Sequence, residues 1–199
     1  MGSASSVRSG SPANRSERRR ARTRGALITA ARNSFGEHGV DCVTIQDITD
    51  AADVAKGSFY NHFDSKEDIL RATAADVLTQ FVQGLDRDFD GSDADPAFVM
   101  GFSLYRTLRI CLEDPTIGRF VLRLGEAMTL FEAAVGENAR RDLLRGRAAG
   151  RFSFDDVELV TTMLAGGSIA LLGRRLRGEL SPAAESDFVA LALRTLGVP

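Results

Sequence analysis

Apolar positions recur along this chain with a helical period, and Gly, Pro, Asp and Ser break the runs between them. The pattern predicts an all-α protein. Leu27, Ala30, Ala31, Ser34 and Phe35 form the inner stripe of a first helix over about residues 18–37, with Gly39 placed to stop it. The stretch TIQDITDAADVAKGSFYNHF, residues 44–63, then reads as two short helices joined by a tight turn. Thr44 is positioned to N-cap the first, whose stripe is Ile45 and Ile48. The turn falls at Ala52-Asp53-Val54, where Asp tolerates the left-handed conformation. The second helix begins near Ala55, with Phe59 and Phe63 on one face and Lys56, Ser58, Tyr60, Asn61 and His62 on the other. A second helix whose outer face carries a cation, donors, acceptors and a phenol, with no carboxylate, is what a helix-turn-helix sets in the DNA major groove.

The remainder continues the pattern. Ser65 and Asp68 form an acidic capping box ahead of a fourth helix, with Leu70, Thr73, Val77, Phe81 and Leu85 on one stripe. Phe98, Phe102, Tyr105, Arg109 and Leu112 carry a fifth helix to about Glu113, and Asp114-Pro115 marks a break and a new start. Residues 116–149 read as one short and one longer helix, with Phe120, Leu124, Met128, Phe131 and Val135 as their apolar residues. Asp155 or Asp156 opens a helix to about Arg177, on which Val157, Val160, Leu164, Ser168 and Leu171 share a face. Gly166-Gly167 sits in its middle, where each Gly costs about 1 kcal/mol against Ala. That cost points to close backbone approach, with drift in a Gly-rich sequence as the rival explanation. Ser181-Pro182 opens the last helix, to about Leu196. It shows two apolar stripes, Phe188, Leu191, Ala192 and Thr195 on one side and Val189, Leu193 and Leu196 on another. A surface helix needs one stripe, so two predict a partner.

The 44–63 stretch resembles the DNA-binding signature of the TetR family of transcriptional regulators. The likeness extends upstream to Ala30-Ala31, Phe35 and Gly39, and downstream through Tyr60, His62, Phe63, Lys66 and Leu70. Two positions depart from that signature. Asp53 stands where the family has Gly in the turn, and Ala55 where it has a Ser that caps the recognition helix. Losing such a cap costs about 1 kcal/mol. The resemblance implies an N-terminal three-helix helix-turn-helix domain and a C-terminal helical domain for ligand binding and dimerisation. The boundaries so implied are an arm at 1–16, a DNA-binding domain at 17–64 and the ligand and dimer domain at 65–199. It implies a homodimer through the last two helices, with Val160, Leu164, Ser168, Leu171, Phe188, Leu191 and Thr195 in the contact. It also implies an effector cavity among the middle helices, lined by Phe98, Phe102, Tyr105, Arg109, Phe120, Leu124, Met128 and Phe131. A filled core accounts for any one of these residues equally well, and Arg109 either fixes an acidic group or faces solvent. The fourth helix is the expected route from cavity to DNA.

Charge supports the division. Residues 1–66 hold ten Lys and Arg against seven Asp and Glu, while residues 67–199 hold fifteen against twenty. Residues 1–16 have almost nothing to bury and are expected to be disordered without DNA. Arg15, Arg18, Arg19, Arg20, Arg22 and Arg24 follow as a basic cluster broken only by Glu17. It is either a solvated arm or one that lies on phosphates or in the adjacent minor groove. Asn61 suits adenine and Lys56 suits guanine or a phosphate. Tyr60 and Lys66 suit phosphates, His62 a phosphate or a packing role, and Thr23, Thr44 and the backbone at Gly57 complete the candidate surface.

Other chemistries find little support. Only two His exist, no nucleophile has a base at meaningful spacing, and no phosphate loop follows a strand. An enzyme is not expected, nor is any cofactor. Asp86, Asp88, Asp90 and Gly91 begin like a calcium loop, but Ala97 stands at its twelfth position and Pro96 breaks its exit, so a solvated acidic loop is expected and no metal. Cys42 and Cys111 read as reduced, buried thiols in the cytoplasm. No apolar run approaches the roughly 18 residues of a membrane span. The functional expectation is a ligand-responsive transcriptional regulator, in the first instance a repressor, that binds palindromic double-stranded operator DNA as a homodimer and is released by a small apolar effector. The rival is a helical adaptor that has lost DNA binding.

Overall fold

The computed structural model describes residues 12–88, 94–124 and 128–199, with side chains described except at 12–14, 82, 84–88 and 128–135. Among these residues lie helices α1 (Pro12–His38), α2 (Ile45–Ala51), α3 (Lys56–Phe59), α4 (Lys66–Asp88), α5 (Pro96–Glu113), α6 (Pro115–Arg123), α7 (Met128–Ala148), α8 (Val157–Leu176) and α9 (Ala184–Thr195). The fold is all-α. The caps explain several of these boundaries. Asp95, Asp114 and Asp156 each accept a backbone amide at the start of α5, α6 and α8. Gly39 ends α1 at φ +86° with its amide on Phe35 O.

One apolar cluster runs from α1 through α4 to α6 and α8, across the boundary expected at 64–65. Its fully buried members include Leu27, Phe35, Ile48, Phe59, Ile69 and Phe120. The contact between α1 and α6 is close at Gly36, where a Cβ would stand 3.1 Å from Phe120 N and 3.2 Å from Thr116 O. Arg32 on α1 also reaches Asp114 at the head of α6, 3.6 Å away. A second cluster gathers Met100, Leu143, Phe152, Leu164, Ala192 and Leu196 at the other end of the C-terminal helices.

Several expectations change. The first helix begins at Pro12, so residues 12–16 are helical rather than disordered, and 1–11 lie outside the described residues. Cys42 is exposed, and only Cys111 is buried, its thiol pushed up to about 12 by desolvation and the Asp114 charge. Of the acidic loop, 89–93 lie outside the described residues, while Asp95 makes a two-pronged ion pair with Arg151. By length and composition α8 passes for a membrane span, but it packs against α5, α6, α7 and α9 as a helix of the bundle.

The Val189, Leu193 and Leu196 stripe of α9 packs within the protomer, while the other is filled only at Phe188 and Ala192. Val189 and Leu193 pack on Gly101 of α5, and Phe188 lies on Gly167 of α8, where a Cβ would fall 2.7 Å from its ring. Gly167 therefore answers to a close approach, while Gly166 faces open space. On α8 the expected contact face is the inward one. Leu164 and Leu171 are buried and Val160 and Ser168 half-buried, because the longest apolar stripe of a helix is drawn to its own core. The outward face shows Leu159, Met163, Gly166 and Ala170, joined by Leu191 of α9, which is 56% exposed. Thr195 sits beside it with its hydroxyl on Ala192 O. Between α8 and α9, Glu185 is 1% exposed and accepts from Arg175 Nε at 3.2 Å.

Candidate nucleic-acid interface

Thr44 caps α2 as expected, and Asp47 completes a capping box that the sequence reading did not include. The Thr44 hydroxyl accepts from the Asp47 amide, and the Asp47 carboxylate accepts from the Thr44 amide at 2.8 Å. Those bonds, and above all the one to the backbone, hold Asp47 below the usual carboxylate range. The chain leaves α2 through a left-handed residue. Asp53 has φ +53°, with its amide on Asp50 O and the Val54 amide on Thr49 O. Those paired bonds close a Schellman motif, so Asp performs the turn that Gly performs elsewhere.

α3 is one turn long, shorter than the helix expected to reach residue 63. Ala55 caps it without a side-chain bond. Its inner residues are fixed by packing. Phe59 is fully buried and meets Tyr60 edge-on at 5.4 Å and Phe63 at 5.7 Å. The Arg24 guanidinium lies 5.2 Å over the Phe63 ring, pinning α1 to the end of the motif. Lys56, Gly57, Tyr60 and Asn61 are exposed on the outer side, and a Cβ at Gly57 would meet nothing within 4 Å.

Ser16, Arg19, Arg20 and Thr23 of α1 face Ser58, Asn61 and His62 across a cleft of about 480 Å³. Arg20 donates to Asn61 O at 3.3 Å. Desolvation, with Arg20 and Arg24 adding to it, pulls the His62 pKa below its usual value. At neutral pH this ring is therefore an uncharged donor and acceptor between two arginines. The cleft combines fixed cations, hydroxyls, an amide and an imidazole, which is chemistry for phosphate and base edges. Arg18 and Arg22 do not line it.

Lys66 departs from expectation. Its ammonium donates to Val40 O at 3.1 Å and Val43 O at 3.2 Å, tying the head of α4 to the loop that enters α2. Two of its three N–H donors are spent inside the protein. Sequence spacing signalled a cation but not the two carbonyls 26 and 23 residues away that claim it.

The residues expected to line a cavity do not form one set. Phe120 and Leu124 are packed solid against the helix-turn-helix domain, Phe120 on Phe35, so they are core. Phe98 is 55% and Tyr105 40% exposed on the outward side of α5, where Phe98 stacks on Phe102 at 6.0 Å. Arg109 bonds Glu113 at 2.9 Å on the same helix. The side chains of Met128 and Phe131 lie outside the described residues. Among the described residues no cluster of His, Cys, Asp and Glu is arranged to hold a metal.

A three-helix motif of this geometry, fused to a helical bundle, defines a helix-turn-helix DNA-binding protein. The family model for bacterial regulatory proteins of the tetR family matches residues 27–73, and that for the tetracyclin repressor-like C-terminal domain matches residues 95–199. The chain belongs to the TetR family. Among solved structures it is similar to RolR in complex with resorcinol, with 37% identity over 92% of this chain and 91% of that one and a TM-score of 0.67. FadR of Bacillus subtilis, solved with stearoyl-CoA, shares the fold at 19% identity, with a TM-score of 0.75 over 86% of this chain and 98% of that one. The transcriptional repressor DhaR of Mycobacterium sp. (strain GP1) is 42% identical over 69 residues, 35% of this chain. That match spans only 33% of DhaR's length.

Proposed function

We propose that this protein is a transcriptional repressor that binds a palindromic operator as a homodimer, acts in the cytoplasm, and lets go when a small effector enters the C-terminal helices. The observation that carries the DNA reading is the cleft between α1 and α3, where Arg19, Arg20, Thr23, Ser58, Asn61 and His62 converge. Lys56, Gly57 and Tyr60 extend that surface and Thr44 stands at the head of α2. Two copies related by a two-fold axis would set their α3 helices in successive major grooves, about 34–36 Å apart or a multiple of it. The dimer contact is assigned to the outward residues of α8 and α9, Leu159, Met163, Gly166, Ala170 and Leu191, since large apolar side chains left exposed on the last two helices favour a partner.

The effector is proposed to be a small aromatic or otherwise apolar molecule. RolR is bound by resorcinol and is 37% identical along nearly the whole chain. Phe98 and Phe102, stacked on α5, supply flat apolar surface of the kind such ligands use. The test is a gel shift on the DNA upstream of the protein's own gene, followed by titration with resorcinol, other simple phenols and a long-chain acyl-CoA. A retarded, salt-sensitive complex released by a phenol is expected. A folded dimer that retards no upstream fragment would favour the adaptor reading.

A further inference from the structure

α1 continues well beyond the domain it belongs to. Arg24 is the basic residue that packs on Phe63, and twelve helical residues from Pro12 to Thr23 precede it. One side of this extension, Ser16, Arg19, Arg20 and Thr23, lines the cleft with α3. At about 100° per residue, Arg15, Arg18 and Arg22 fall within about 60° of one another on a different side. All three are exposed, and no hydrogen bond or ion pair engages them among the described residues. They form a straight row of cations, about 10 Å from first to last at 1.5 Å per residue.

We propose that this row is a second DNA-contacting surface, a rigid helical rail that binds backbone phosphates of duplex outside the half-site read by α3. The inference rests on the DNA reading above and extends it to flanking DNA. Its geometry decides between the two ways a basic arm can serve. An α-helix with its side chains is about 10–12 Å across, and the minor groove is about 6 Å wide. A helical arm does not enter that groove as an extended arm does. Its guanidiniums reach phosphate oxygens along the rim, where each contact releases counterions and carries no base preference. The rail continues from the α3 cleft on one stiff element, so docking of the recognition helix carries it to the flank.

The experiment begins with duplexes selected from a randomised pool on the full-length protein, which yields the operator. Binding is then measured by fluorescence anisotropy on that operator cut at its edges, and on the same operator with about one helical turn, ten base pairs, added on each side. Three proteins are compared: the parent, Arg15→Ala/Arg18→Ala/Arg22→Ala, and Ala21→Pro. The last keeps every charge and breaks the helix beneath them. The parent is expected to bind the flanked duplex about ten-fold or more tightly at low salt, with a steeper salt dependence. Both variants are expected to lose the difference between flanked and cut duplexes. A parent indifferent to flanks, or a triple variant with the parent's preference, overturns the rail while leaving operator recognition standing. An Ala21→Pro protein that keeps the preference overturns it too, by showing a flexible tail at work. A pool that yields no selected duplex at all sinks the DNA reading and the rail together.

Discussion

The Phe35 ring of α1 stacks on the Phe120 ring of α6, centroids 6.4 Å apart and planes 29° apart. Beside them Gly36 leaves no room between its own helix and the α6 backbone. Helix α6 thus bears directly on the helix that carries one wall of the DNA cleft. Sequence reasoning makes α4 the expected route from cavity to DNA, and this close seam is a second candidate for it. Phe120→Ala is expected to cost about 3–5 kcal/mol in denaturant unfolding, as for other buried Phe truncations. Gly36→Val drives α1 from α6 and is expected to weaken operator binding in the folded dimer. Unchanged operator affinity in that variant would show the seam to be passive.

Lys66 gives a prediction that the salt dependence separates from a phosphate contact. Lys66→Met removes the tie to Val40 and Val43 and is expected to lower the Tm and the operator affinity. The slope of log affinity against log salt is expected to stay as in the parent, since a lost phosphate contact would reduce it by about 0.9 per site. A slope that falls by that amount returns Lys66 to the phosphates.

Assembly is tested by two substitutions on one helix. Met163 is 45% exposed on the outward face of α8, and Leu171 is 8% exposed on the inward face. Met163→Asp enters a two-fold contact twice and is expected to give a folded monomer by light scattering and circular dichroism. Leu171→Asp buries an unpaired carboxylate and is expected to unfold the protomer. A dimeric Met163→Asp protein would move the interface to another face.

Asp114 sets a pH dependence. Desolvation alone would raise its pKa, but the Thr116 hydroxyl and amide and the Arg32 cation outweigh it and hold the carboxyl below its usual value of 3.8. A depressed carboxyl stabilises the fold above its unfolded pKa and loses that contribution as pH falls through the folded value. Acid unfolding of the parent should therefore include a component below about pH 4. Asp114→Asn is expected to flatten that component and, at neutral pH, to cost only the Arg32 pairing, since Asn still caps α6. An acid limb identical to the parent's would assign the loss to other carboxylates.

The order and phase of the helices were legible because each rests on local signals: Thr44, Asp114 and Asp156 as caps, Gly39 as a stop, and Phe59 and Phe63 as paired anchors, whereas the Asp95 cap of α5 lay hidden in a stretch that reads as a solvated acidic loop. Long-range claims on a side chain were not legible. Phe120 and Phe102 look alike in a helical pattern, and only the approach of α1 at Gly36 makes the first a core residue. The apolar stripe of α8 was visible, but periodicity does not say whether a stripe serves its own core or a partner's. The shortness of α3 was hidden as well. A helical pattern records which residues face inward, and Phe63 is buried whether the backbone between it and Phe59 is helix or turn.

At Lys56, Gly57 and the Asn61 side chain, the outer side of α3 carries no structural duty. Gly57 has open space where a side chain would go, and the Lys56 and Asn61 side chains make no bond among the described residues. Phe59, Phe63 and Arg24 hold the motif from behind. On the proposed DNA reading, stability and recognition lie in different residues of the same seven-residue stretch, from Lys56 to His62, and its anchors. Substitutions on the outer side change what is read at almost no cost to folding. A duplicated copy of this gene can drift to a new operator one base preference at a time, without passing through a misfolded ancestor.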